Sequence, residues 1–269
     1  MSEENVDSKA NVDSKANADW SKANASVKPQ HYGDMIAGHN KGALAMKVGT
    51  KSVLFGAHAF WLHPWFVAAA WTKLYGFPLD PRLWVAFFVH DLGYLGKPNM
   101  DGPEGESHPK LGAQIMTLWF DDEPTIDWDF TPIRHNEKDY LWVDNEPYGK
   151  WGQFSLLHSR FLSKQNGVNP SLLCVADKFA LCLTPAWLYL PMVRATGEIR
   201  EYMKLAEAMN DGAGGGKYSA MNISTKDQKA WYADVQDYLR RWVAEHKDGR
   251  EDTWTPAQKQ ATTETGVWK

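Results

Sequence analysis

The chain has 269 residues, a length that suits one domain with appended segments or two small ones. Its 29 basic and 33 acidic residues leave a net charge of −4, which argues against long nucleic acid or an anionic membrane as partner. Hydrophobic residues make up 43 %, including 14 Trp and 11 Phe, enough for a large aromatic-rich core.

Residues 1–28 are polar and repetitive: Asp-Ser-Lys-Ala-Asn occurs at Asp7–Asn11 and again at Asp13–Asn17, echoed at Ser21–Asn24. Such a stretch has too little to bury and reads as a disordered tail; it also lacks the apolar core of a signal peptide. Residues 29–250 read as a helical domain and 251–269 as a C-terminal tail. Val53–Tyr75 is apolar on most sides and ends at Gly76, as one buried helix does. Asp80-Pro81 supplies a cap and a first-turn proline for a helix running to about Asp91. Gly93–Ser107 reads as a loop, and a helix follows over Pro109–Phe120.

After the acidic turn Asp121–Pro124, a short helical segment is expected to carry Arg134 and His135. Trp151–Gln165 reads as one amphipathic helix with Phe154, Leu157, His158, Phe161 and Leu162 along its apolar stripe. Asn169-Pro170 repeats the cap-plus-proline start, opening a helix over Ser171–Leu183 that carries Asp177. Further helices are expected at Gly197–Met209 and Thr225–Glu245, and no run of alternating strand residues is found. The fold class is therefore all-α. The aromatic stretch around Trp187–Tyr189 suits either a homodimer contact or the core. Asp211–Lys217 lacks phosphate-loop spacing, since Tyr218 replaces the required Ser/Thr, and reads as a flexible linker. Cys174 and Cys182 share one expected helix, which argues against a disulfide and fits a reducing cytoplasm. Apolar runs such as Trp84–Val89 and Ala186–Met192 are too short to span a bilayer.

Chemistry concentrates at His90-Asp91, which closes the apolar run Leu83–Val89. A carboxylate buried after such a run needs a charge partner or a metal. Asp177 sits in an equally apolar helix, and His63 lies in a third, so three helices can offer ligands to a common centre.

The order His63…His90-Asp91…Asp177 resembles the HD superfamily of metal-dependent phosphohydrolases over residues 56–183, implying an HD-type helical bundle with extra C-terminal helices. His58 competes with His63 for the first position. It is set aside because five residues on one helix turn it about 140° away, and because Phe66-Val67-Ala68 resembles the family's segment after its first ligand. His108, in His-Pro-Lys-Leu-Gly-Ala, and His135, in Arg-His-Asn-Glu-Lys-Asp, resemble the additional ligands of dinuclear members. Six ligands would hold two ions with Asp91 bridging. Iron or manganese is favoured, and magnesium, cobalt, nickel or zinc is also admissible. Tyr94 stands where cyclic-dinucleotide-cleaving relatives carry a phosphate-binding lysine, and Arg134 replaces one histidine of a pair, so the resemblance does not extend to that activity.

His158 reads either as a hydrogen-bonded core histidine or as a substrate contact or alternative ligand, with Arg160 beside it. Glu104 and Glu106, in the loop after His90-Asp91, are candidates for general base or water-orienting group, and Lys97 for a phosphate contact. Arg134 and Lys178 adjoin expected ligands and are candidates for binding substrate anions. His31, His39 and His246 read as surface residues. The resemblance implies phosphoester hydrolysis on a nucleotide or related small phosphorylated metabolite through metal-activated water, with Asp91 anchoring the ions. A mixed-valent di-iron oxygenase of the same superfamily and a non-catalytic nucleotide-binding protein are the alternatives.

Overall fold

A computed structural model of the chain describes residues 46–102, 104–122, 140–210 and 223–255. The expected N-terminal tail, the segment bearing Arg134 and His135, the linker at 211–217, and His31 and His39 all lie outside these residues.

The described residues are mostly helical: α1 (Val48–Phe55), α2 (His63–Tyr75), α3 (Pro81–Val89), α4 (Pro109–Phe120), α5 (Lys150–Leu156), α6 (Arg160–Gln165), α7 (Leu172–Leu183), α8 (Ala186–Thr196), α9 (Glu198–Asn210) and α10 (Gln228–His246). Single turns of 3-10 helix at Leu92–Tyr94 and Gly105–Ser107 fold the segment expected as plain loop. Asp80 caps α3 by accepting from the Arg82 amide, as its sequence implies. The cap of α7 is Ser171, which accepts from the Cys174 amide, rather than Asn169.

Two long helices of the sequence reading are each broken in two. Between α1 and α2 the chain leaves the helix at Gly56, and buried Glu198 takes the Ala57 amide hydrogen at 3.2 Å. His63-Pro64 then restarts a helix with proline in its first turn. A Cβ at Gly56 would lie 1.8 Å from the Glu198 carboxylate, so only glycine allows this approach. The amphipathic run breaks between α5 and α6, where the Ser159 hydroxyl accepts from the Leu162 amide and starts a new helix.

The sequence reading expected no strand, yet β1 (Leu141–Val143) and β2 (Glu146–Tyr148) form a short antiparallel hairpin. Asp144 and Asn145 make its turn with φ of 52° and 64°, the left-handed pair that a tight two-residue hairpin turn requires. Three paired residues do not change the all-α class.

α2 packs along α7, where Ala68, Ala70, Ala176 and Ala180 are buried against Val67, Trp71 and Leu173. Small side chains on both faces let the two helices approach closely and bring His63, at the start of α2, within bonding reach of Asp177 in the middle of α7. A second core joins α8, α9 and α10 through Tyr189, Val193, Ile199, Trp231, Tyr232 and Leu239. Among the described residues no single helix is long and apolar enough to cross a membrane; α7 and α8 together have the length but bend by 103°.

His246 is not at the surface. It is fully buried, donates from Nδ1 to the Trp242 carbonyl at 2.7 Å and stacks on the Trp242 ring. The packed body also continues past residue 250, since Asp252 and Thr255 are buried. Asp252 accepts from the Arg160 Nε at 2.8 Å, from the Trp242 indole at 3.1 Å and from the amides of Trp254 and Thr255.

Candidate metal centre

α3 ends at its cap His90, and the following 3-10 turn leaves Asp91 pointing into the space between α2 and α7. There, His63 from the first position of α2 lies 2.9 Å by its Nε2 from Asp177 Oδ1 and 3.4 Å from Asp91 Oδ2. His90 Nε2 stands 3.0 Å from Asp91 Oδ2 and 3.8 Å from Asp177 Oδ1. On the opposite side of Asp91, His108 Nε2 and His158 Nε2 lie 3.5 and 3.4 Å from Oδ1. The two oxygens of Asp91 therefore serve two groups of donors that share this one carboxylate. The groups are His63, His90, Asp91 and Asp177, and Asp91, His108 and His158.

Three of the histidines have a fixed tautomer. A carbonyl oxygen only accepts, so His90 Nδ1 donates to Phe87 at 3.0 Å, His108 Nδ1 to Gly105 at 2.8 Å and His158 Nδ1 to Ser155 at 2.5 Å. Each ring thus turns its Nε2 lone pair inward when neutral. Backbone anchoring of the remote nitrogen is the usual support of a metal-binding imidazole. His108 Nε2 and His158 Nε2 are 3.0 Å apart, so in these tautomers two lone pairs face each other. A shared cation relieves that repulsion. Buried His90 Nε2 and Asp91 Oδ2 also lack a hydrogen bond of proper geometry. The donor set, its tautomers and these orphaned atoms fit divalent metal, and the clusters could hold such an ion.

Burial pushes the Asp91 and Asp177 carboxyls up, but the histidines around Asp91, and Lys178 with His63 beside Asp177, hold both well below the usual carboxylate range. Burial draws His90 down, yet Asp91 and Asp177 outweigh it and raise His90 to about 10. His108 is lowered by burial and by the neighbouring His158.

His58 was set aside in the sequence reading because one continuous helix would point it away. The break after α1 removes that premise: His58 lines the same cavity as His63, with ring centroids 5.8 Å apart. Ser52 donates to Glu198 Oε2 at 2.9 Å and so accepts from His58 Nδ1, also at 2.9 Å, leaving His58 Nε2 as the free acceptor. Burial lowers His58 to about 4, so the ring is neutral near pH 7. Nothing in the sequence marked Ser52 or Glu198, which meet His58 only through the fold. Tyr94 stacks on the His108 ring at 3.8 Å.

The remaining candidates divide. Glu106 and Lys178 line the cavity, and Lys178 donates to Asp177 at 2.6 Å. Arg160 also borders it, but its guanidinium bonds Asp252 and the Tyr238 hydroxyl and stacks over Trp242. Glu104 is exposed and bonded by Asn99, and Lys97 donates to Ser107, both outside the cavity lining. Arg134 and His135 lie outside the described residues, while His158 completes the second donor group.

The cavity has a volume of about 250 Å³. One end is the His/Asp cluster. The other is apolar and aromatic, between α7, α8, α9 and α10.

Comparison with protein families, with characterised proteins and with solved structures finds no match to this chain. What can be said of function rests on the donors and the cavity.

Proposed function

We propose that this chain is a dinuclear metal-dependent phosphohydrolase acting on a small phosphorylated metabolite. The observation that carries the reading is the sharing of one carboxylate, Asp91, between two groups of inward-facing histidine nitrogens. The resemblance of His63, His90-Asp91 and Asp177 to the HD superfamily supports it, and His158 is the third donor beside Asp91 and His108 among the described residues. Nitrogen and oxygen donors without thiolate favour iron or manganese.

Bound there, divalent ions would supply Lewis acidity toward a phosphoryl oxygen and acidify a water for attack. The chain's own residues do the rest. Anchored imidazoles keep the donor geometry rigid, so little reorganisation accompanies reaction. Asp91 holds both halves in register. Lys178, beside Asp177 in the cavity wall, is the cation placed to meet a phosphoryl oxygen. His58, held by Ser52 through Nδ1 and neutral, borders the cluster as a hydrogen-bond acceptor for substrate or water. A nucleotide is one member of the substrate class.

An oxygen-activating di-iron enzyme is the second reading. It is favoured by the all-imidazole-and-carboxylate donor set and by the apolar end of the cavity, which excludes water.

The deciding experiment is metal content of the purified protein by elemental analysis, beside Asp91→Ala. About two equivalents, lost in the variant, and phosphate release from a panel of small phosphoesters are expected. Oxygen uptake without phosphate release transfers the assignment to the second reading. No metal after reconstitution overturns both and leaves a helical binding protein.

A further inference from the structure

The cavity does not end at the donor cluster. It runs on into a chamber walled by Leu181 of α7, Tyr189 of α8, Ala206 of α9, and Trp231, Val235 and Leu239 of α10. Several polar groups at that end are already bonded within the protein. Thr184 donates to the Ala180 carbonyl, Tyr202 donates to Glu198, and the Tyr238 hydroxyl accepts from Arg160. A nucleobase would bring several donors and acceptors into this wall, and each one left unpaired and dry is a net loss. Aliphatic or plain aromatic carbon loses nothing there and gains burial. Asp101 and Glu106 also line the cavity.

We infer that the substrate is an amphiphile: a single phosphoryl head at the His/Asp cluster and an uncharged hydrocarbon body, a short alkyl chain or one ring, in the α7–α10 chamber. This rests on the phosphohydrolase reading and narrows it. The whole cavity, donor cluster included, has about 250 Å³, just below the roughly 300–1,000 Å³ of ligand pockets, and suits such a body better than a nucleoside.

Alkylphosphonates carry the head without a hydrolysable ester. Titration calorimetry on the full chain loaded with manganese, using methyl-, butyl- and hexylphosphonate, phenylphosphonate and adenosine monophosphate, tests the inference. Affinity is expected to rise about threefold to fourfold for each added methylene until the chamber fills. Adenosine monophosphate is expected to bind more weakly than hexylphosphonate. Ala206→Phe, which fills the chamber, is expected to bring the hexyl-to-methyl affinity ratio close to one, and the milder Val235→Leu to lower it; retained metal shows that each variant folds. Equal affinity along the series, or adenosine monophosphate binding as tightly as hexylphosphonate, overturns the inference while leaving the phosphohydrolase reading in place. Failure of the protein to bind metal or methylphosphonate overturns that reading and the inference with it.

Discussion

His108 Nε2 and His158 Nε2 stand 3.0 Å apart although the Nδ1 of each ring is committed to a backbone carbonyl. Two neutral imidazoles held in this way repel, and the fold tolerates the pair because both rings are packed in place, His108 under Tyr94 and His158 edge-on to His90.

From that pair comes the first expectation. His158→Ala should lose about one of two metal equivalents and retain the other, whereas Asp91→Asn should lose both. Elemental analysis after dialysis measures this. A full metal complement in His158→Ala would return the sixth ligand position to His135.

Close approach of α4 to the end of α3 is a second testable feature. A Cβ at Gly112 would lie 2.6 Å from the Val89 carbonyl and 2.8 Å from His90 Cα, both backbone atoms that cannot swing aside. Gly112→Ala is expected to push α4 outward, carrying His108 away from Asp91. The cost should be about 1–3 kcal/mol of stability, read by denaturant unfolding, together with weakened metal binding. Gly76→Ala, at φ 89° with open space around it, serves as the comparison: backbone strain alone, and no loss of metal.

A third expectation concerns pH. Burial raises the Asp252 carboxyl, but the Arg160 guanidinium, Thr255 and Trp242 outweigh it and hold the group well below its ordinary value. A depressed folded value means stability that is present above the unfolded range near ~3.9 and lost as pH falls through the folded value. Asp252→Asn should therefore be less stable than the native chain by about 3 kcal/mol at pH 7. That gap should close in acid below about pH 4. Thermal unfolding across pH measures it, and a gap independent of pH would show that the Arg160 pair contributes by shape alone.

Ser52 provides the fourth. It relays between His58 and Glu198, so Ser52→Ala should free the His58 ring to populate both tautomers. Nitrogen NMR shifts of His58 report this directly. The buried Glu198 carboxylate loses one of its donors in that variant, at a cost of about 1–2 kcal/mol.

Helix starts with a chemical mark were legible in the sequence. Asp80-Pro81 and Pro109 open α3 and α4 where the cap and proline rules place them, and Asp91 and Asp177 could be singled out because carboxylates after long apolar runs need partners. Breaks inside apolar stretches were not legible. The stretch 53–75 stays hydrophobic through the turn at Gly56–Leu62, where Phe60 and Trp61 are exposed, and the break is fixed by Gly56 and the Ala57 amide meeting Glu198, far away in sequence. The same blindness hid His58 and left His158 undecided: its stripe position is compatible with a core residue until Ser159 caps a new helix and the ring turns toward Asp91. His246 failed for a third reason: Trp242, one turn earlier on the same helix, stacks on it, but Asp252 reaches it only once the C-terminal segment has folded back.

The six donors come from five separate stretches of chain, and the His63–Asp177 contact alone joins residues 114 positions apart. For the chain as a polymer, an ion at the cluster is a staple that closes several loops at once. Without it, α4, the α5–α6 junction and the start of α2 can each fray on its own. With it, any one of them must release the others to open, so that amide-exchange events separate in the stripped protein merge into a single, slower one.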